Sequence, residues 1–140
     1  MPRGPAKGLT DTGYQLVGLI TALSTAHHID HVVRDATGWP LGGEFNPFSA
    51  SLLVYPVIAA GLLLSRRGRV GARFWASLAG GGALFVLAVH VGPAAGDSVG
   101  AIPDQYGSAA AGVAALSVLA LFAAALVLHC VYEMRRMAKT

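Results

Sequence analysis

The chain has 140 residues, of which 54% are hydrophobic and only 12% are charged. A soluble domain usually has about a quarter charged residues, so this composition excludes an ordinary soluble protein and predicts one membrane domain. The net charge of +3 does not indicate a nucleic-acid partner, because the basic residues lie beside the ends of apolar runs, where membrane topology signals occur. The single cysteine, Cys130, excludes an internal disulfide and a CxxC redox pair.

Four apolar segments are separated by stretches that are rich in glycine, proline and charge. Each segment has roughly the 20 residues that cross a lipid bilayer as a helix. We therefore predict an all-α integral membrane protein, a four-transmembrane-helix bundle with up-down topology. The predicted helices cover residues 13–34, 47–65, 74–91 and 107–134, between basic tails at residues 1–12 and 135–140.

The first segment allows a second interpretation. Arg3 and Lys7 precede its apolar core, and Ser24-Thr25-Ala26 follow it, as in a cleavable secretory signal. We expect the segment to be retained as the first helix. Because its last third is polar, this helix should end in the membrane interface or in a wet cavity.

Three features of the second and third segments predict how these helices bend and pack. Pro56 should kink the second helix, because proline lacks the amide that would bond to the carbonyl of Leu52. The third helix contains Ala79-Gly80-Gly81-Gly82-Ala83, a block of small residues that lets helices approach closely in lipid. We expect this block at the centre of the packing, and such small-residue faces would also suit a homo-oligomer. Trp75, and Trp39 in the loop before the second helix, are expected in aromatic belts at opposite interfaces.

Basic residues are concentrated on one side of the predicted bundle. Only Arg34 falls on the other side, and the rest lie in the first tail, the second loop and the last tail: Arg3, Lys7, Arg66, Arg67, Arg69, Arg73, Arg135, Arg136 and Lys139. The positive-inside rule then predicts a multi-pass protein of a cytoplasmic-type membrane with both termini in the cytoplasm.

Histidines cluster at the predicted outer end of the bundle. His27 and His31 are four residues apart near the end of the first helix, so they share one face. His90 lies near the end of the third helix, which places all three within about two turns of the outer surface. Three imidazoles at one depth predict a site for a divalent transition metal.

Carboxylates complete the predicted site. Asp30, Asp97 or Asp104 could supply a fourth ligand, or could accept a hydrogen bond that sets the tautomer of a ligating histidine. We predict Asp30 as a ligand beside the three histidines, and Asp30 or Asp104 as the base if the metal activates water. Nitrogen and oxygen donors suit zinc, copper, nickel or iron, and the sequence does not choose among them.

Two further histidines are interpreted as structural. His28 should face the loop that holds Asp35 and Glu44. His129 and Glu133 are one helical turn apart and should form an interfacial pair.

These patterns leave four functions open. The first is metal-assisted chemistry on a lipid-like or amphiphilic substrate, and the second is a proton-coupled transporter in which the same histidines titrate. The third is a haem protein with His31 and His90 as axial ligands. The fourth is an accessory subunit without chemistry, whose polar outer loops meet a partner. The alternative to a ligand role for the histidines is that they lie at the interface and bond only to Asp30 and to loop carbonyls.

Overall fold

The computed structural model describes residues 8–34, 45–93 and 95–139. These residues form helices α1 (Asp11–Arg34), α2 (Pro47–Leu52), α3 (Val54–Arg66), α4 (Ala72–His90) and α5 (Ala109–Met137), with a short 3₁₀ helix at Pro103–Gln105. No strand occurs in the described ranges. The prediction of an all-α protein is confirmed.

Among the described residues, three stretches of helix are long and apolar enough to cross a membrane: Pro47–Arg66, which comprises α2 and α3, Ala72–His90 and Ala109–Met137. Helix α1 is not among them, since its second half is polar. A fourth span therefore remains a prediction, as do the side of the termini and any oligomer.

Helix α1 begins beside the end of α5. The hydroxyl of Thr10 lies 2.7 Å from that of Tyr132, and Arg136 donates a hydrogen bond of 2.9 Å to the carbonyl of Gly8. The two helices therefore run antiparallel, and both ends of the described chain lie at one end of the bundle. The buried residues of α1 recur every three or four positions and become polar towards the end of the helix. They are Gly13, Val17, Ile20, Ser24, His27, His28 and His31.

The second apolar segment is a broken helix. Asn46 caps α2 by accepting a hydrogen bond from the amide of Ser49, and the Ser49 hydroxyl accepts one from the amide of Asn46. The helix stops at Leu52 and restarts at Val54. The break comes three residues before Pro56. Because proline has no amide hydrogen, Pro56 cannot donate to the carbonyl of Leu52, which is the reason that the sequence predicts a kink here.

The glycine block packs only in part as expected. A Cβ added to Gly80 would lie 3.2 Å from the sulfur of Cys130, and one added to Gly82 would lie 3.2 Å from Leu126, so both glycines face α5. A Cβ added to Gly81 would meet nothing within 4 Å. Because successive helical residues are rotated by about 100°, the middle glycine of the block points away from α5.

Trp75 is a core residue and not part of an aromatic belt. Its side chain is 2% exposed and its ring nitrogen donates a 2.8 Å hydrogen bond to Ser65. This bond ties the start of α4 to the end of α3 across the short turn between them. The second predicted belt residue, Trp39, lies outside the described residues.

Candidate metal centre

Helices α1 and α4 bring three histidines to one point in the interior. His27 and His31 are one turn apart on the buried face of α1, and His90 is the last residue of α4. All three are buried, with 5%, 6% and 2% of their surfaces exposed. The structure therefore contains a buried cluster, here called the histidine triad, that could bind a metal ion.

The triad has the dimensions of a metal site. The Nε2 atom of His27 lies 3.2 Å from Nε2 of His90 and 3.2 Å from Nε2 of His31. In a tetrahedral zinc site with Zn–N bonds of about 2.0–2.1 Å, two ligand nitrogens are about 3.3 Å apart. The ligand atoms of all three side chains lie within 4.8 Å of one another, so one ion could contact them once the rings move closer together.

The Nε2 atom of His27 carries either one hydrogen or one lone pair, so at any one time a full hydrogen bond joins it to only one of its two neighbours in the triad. The Nδ1 atom of His90 donates a hydrogen bond of 2.7 Å to the backbone carbonyl of Asp97, so Nε2 of the neutral ring carries a lone pair. If Nε2 of His27 accepts from His31, it faces the lone pair of His90 with no hydrogen between the two atoms. Nδ1 of His27 also lacks a hydrogen-bond partner among the described residues. Converging lone pairs are what a cation would stabilise.

Asp97 supports the triad from the loop that follows α4. Its carboxylate lies 3.7 Å from Nδ1 of His31 and 3.6 Å from Nδ1 of His90, and it pairs with Arg34 at 2.9 Å. Burial alone would raise the pKa of the Asp97 carboxyl, but the hydrogen bonds and charge of Arg34 outweigh burial and hold that pKa below its ordinary value. Asp97 is therefore an anion that can fix and polarise the ligand histidines.

The two carboxylates singled out from the sequence lie elsewhere. Asp30 pairs with Arg34 at 2.8 Å and accepts a hydrogen bond from the hydroxyl of Tyr106, and it is not one of the three converging side chains. Burial and this hydrogen bond raise the pKa of Tyr106 to about 12. Asp104 is exposed on the 3₁₀ helix. Of the three carboxylates, Asp97 is therefore the one placed beside the triad, where it can support His31 and His90.

His28 belongs to a separate polar contact between α1 and the broken helix. The Ser51 hydroxyl donates to the carbonyl of Phe48 at 2.6 Å, so it accepts from Nε2 of His28 at 2.7 Å. Nδ1 of His28 then accepts from the Tyr55 hydroxyl at 2.7 Å. The expectation that His28 faces Asp35 and Glu44 concerns a loop outside the described residues; the contacts that are described join helices instead.

A cavity of about 380 Å³ adjoins the triad. The triad histidines and Ser24 contribute polar groups to its wall, and His129 and Trp75 also line it. His28, Ser51 and Ser77 are the other polar residues of the wall, and the rest of it is apolar and comes from all five helices. The three histidines of the triad therefore face an internal space large enough for a small ligand.

Comparison of the chain with protein-family models, with curated proteins and with solved structures gives no match. The arguments for function therefore come from the site itself.

His129 and Glu133 form a second buried polar group, towards the opposite end of α5. Nε2 of His129 lies 3.6 Å from Oε1 of Glu133, and the other carboxylate oxygen accepts a 2.7 Å hydrogen bond from Arg136. The pairing predicted from their spacing is present, and the two side chains are fully buried. The two facing atoms have no hydrogen-bond partner among the described residues.

Sequence reasoning missed the residues that close the outer side of the site. In the sequence, Arg34 stands out only as the one basic residue predicted on the side opposite the basic tails. In the structure it joins Asp30 to Asp97 and also donates a hydrogen bond to Gln105. Its spacing of four residues from Asp30 was an available signal for that pair. The contacts with Asp97 and Tyr106 join residues more than 60 positions apart and have no local signal.

Proposed function

We propose that the protein is a four-span integral membrane protein that binds one divalent transition metal at His27, His31 and His90. The observation that carries this proposal is the meeting of three buried Nε2 atoms, two pairs of them 3.2 Å apart. Zinc, copper, nickel and iron all accept such nitrogen ligands.

We further propose that the metal is catalytic. Three protein ligands leave a coordination position free, which is typical of catalytic zinc sites and unlike closed structural ones. The triad lines the cavity, so that position can face a substrate. A metal held there supplies Lewis-acid chemistry, by activating water or polarising a carbonyl oxygen.

The surrounding residues would hold the ligands and move protons. Asp97 keeps His90 and His31 in place and offsets the positive charge of a bound ion. Of the two proposed bases, Asp30 is the better supported, because Arg34 connects it to Asp97, whereas Asp104 is exposed. In this proposal Tyr106 holds Asp30 in position through its hydroxyl.

The fourth span would be α1. A helix of 24 residues is about 36 Å long at 1.5 Å per residue, enough for a hydrocarbon core of about 30 Å. Its charged residues lie at its two ends: Asp11, Asp30 and Arg34. Among its polar residues, Ser24, His27 and His28 are buried and line the cavity, where polar groups are tolerated in a membrane.

The test is the metal content of the purified protein, measured by mass spectrometry after removal of loosely bound ions. His27→Ala, His31→Ala and His90→Ala should each reduce bound metal by more than the roughly 10- to 100-fold that loss of a supporting residue costs. His129→Ala is the matched control and should retain metal. Stoichiometric metal in the His31→Ala/His90→Ala double variant would overturn the site.

A second candidate, a proton-coupled carrier, is favoured by one observation. His129 lines the same cavity as the triad, and its Nε2 atom faces Glu133 without a hydrogen-bond partner among the described residues, so titratable groups lie at both ends of the cavity. The carrier would be favoured by a metal-free protein that acidifies the inside of proteoliposomes when a solute gradient is applied, provided that His129→Ala abolishes this acidification. A haem is not favoured, because His27 lies 3.2 Å from both His31 and His90 and occupies the space between them.

A further inference from the structure

The cavity opens sideways between α3 and α4. Leu53 and Val57 line it from the broken helix, and they are 59% and 41% exposed. Ser77, Gly81 and Phe85 line it from α4 at intervals of four residues and are exposed as well. Residues that both line a cavity and reach the outside mark its mouth.

This mouth lies between two segments that are long and apolar enough to cross a membrane. What surrounds such segments at this depth is the acyl chain region of the bilayer, and not water. Towards the turn between α3 and α4 the mouth is closed, because a Cβ added to Gly61 would lie 2.6 Å from the ring of Phe74 and 3.1 Å from that of Trp75. The entrance therefore admits molecules that are already in the membrane.

The wall of the cavity changes in character along its length. The triad and Ser24 form a polar end, and His27 there is 95% buried with Nδ1 unpaired among the described residues. The rest is mostly apolar, apart from His129, whose ring stacks on Trp75, and its apolar residues include Val17, Ile20, Val54, Ile58, Leu78, Val86 and Leu126. A ligand that matches this wall has one polar head and one apolar chain.

We propose that the cavity binds a single-chain amphiphile with an oxygen head group, a carboxylate or an ester, which enters from the bilayer between α3 and α4. The head lies at the triad and the chain extends towards Trp75. The volume of about 380 Å³ suits one chain, at the low end of the range for small-ligand sites. A carboxylate or carbonyl oxygen is also a suitable ligand for a metal held by three neutral imidazoles. The contact of the head group with metal rests on the proposed function, whereas the position of the chain does not.

The experiment uses Trp75 as the reporter. Undecanoic acid brominated at its terminal carbon is added to Trp39→Phe protein in lipid nanodiscs, and quenching of Trp75 fluorescence is measured. Trp75 is 2% exposed, so the bromine must enter the cavity to reach its ring closely. We expect saturable quenching, relieved by an excess of unbrominated undecanoic acid.

Two matched glycine variants test the mouth. Neither Gly81 nor Gly18 has an atom within 4 Å of an added Cβ, but Gly81 lines the cavity and Gly18 lies exposed on α1. Gly81→Leu should raise the acid concentration for half quenching at least severalfold, and Gly18→Leu should leave it unchanged. Val57→Phe narrows the mouth from α3 and should act like Gly81→Leu, so a folding defect in one variant does not decide the result.

Equal quenching in all variants with normal melting temperatures would overturn the amphiphile site. The two proposals fail separately. If the protein is metal-free but quenching depends on Gly81, the amphiphile site is supported and the metal site is rejected. If the protein contains metal but quenching does not depend on Gly81, the metal site is supported and the amphiphile site is rejected.

Discussion

Asp97 shows how a single residue can join the parts of the site. It receives two of the hydrogen bonds of the Arg34 guanidinium, at 3.1 and 2.9 Å, and its carbonyl accepts from His90. A buried carboxylate without a cation would be costly, so Arg34 makes this anion tolerable beside the triad. The charge of Asp97 then remains available to stabilise a bound cation.

Asp97→Asn should weaken metal binding about 10- to 100-fold, because it removes the negative charge from beside two ligand histidines. It should also leave the Arg34 charge less balanced, which adds to the loss. Asp104→Asn, on the exposed 3₁₀ helix, is the matched control and should bind like the parent protein. Competition with a chelator of known affinity provides the measurement, and equal affinity of the two variants would refute the role of Asp97.

At the scale of elements, α4 has different faces for different neighbours. Gly80 and Gly82 face α5, Gly81 faces the cavity, and Trp75 at its start contacts α3 near Gly61. The contact at Gly61 closes the cavity at this end and sets the distance between α3 and α4. Close approach is possible there because glycine has no side chain.

Gly61→Ala should therefore be less stable than Gly81→Ala by about 1–3 kcal/mol, the usual cost of overpacking. Both changes replace glycine by alanine inside a helix, so the gain in helix propensity of about 1 kcal/mol cancels in the comparison. Thermal or denaturant unfolding in detergent measures the difference. Equal stability would show that the rings of Phe74 and Trp75 move aside freely.

At the scale of the whole molecule, the basic residues predict its orientation in the membrane. The turn between α3 and α4 and the end of α5 carry most of them, and the start of α1 lies next to the end of α5. The triad and its loop lie at the other end. By the positive-inside rule the triad should be on the outer side.

Cysteine labelling tests this orientation on a Cys130→Ser background. A cysteine at Arg69 should react with an impermeant reagent only after the membrane is opened, and one at Gly100 should react in intact cells. Both positions are exposed, and Gly100 has open space for a side chain. The opposite pattern would place the triad on the cytoplasmic side.

Local sequence was enough to determine the helices and the three histidines. Runs of apolar residues predict helices in lipid irrespective of their neighbours, and the predicted ends at residues 34 and 91 lie within one residue of the ends of α1 and α4. The spacing of His27 and His31 places both on one helix face for the same local reason. The matching depth of His90 follows from the lengths of the helices.

Tertiary structure alone decided which groups support, bury and approach the triad. Asp97 rather than Asp30 faces the ligand histidines because the loop after α4 folds back, with its amides bonded to the carbonyls of Val89 and His90. Trp75, His129 and Glu133 are buried because the neighbouring helices cover them, and no pattern within α4 or α5 reveals that cover. The cavity likewise exists only between helices. Such features depend on contacts between distant residues, whereas helical periodicity reports only on a residue and its near neighbours.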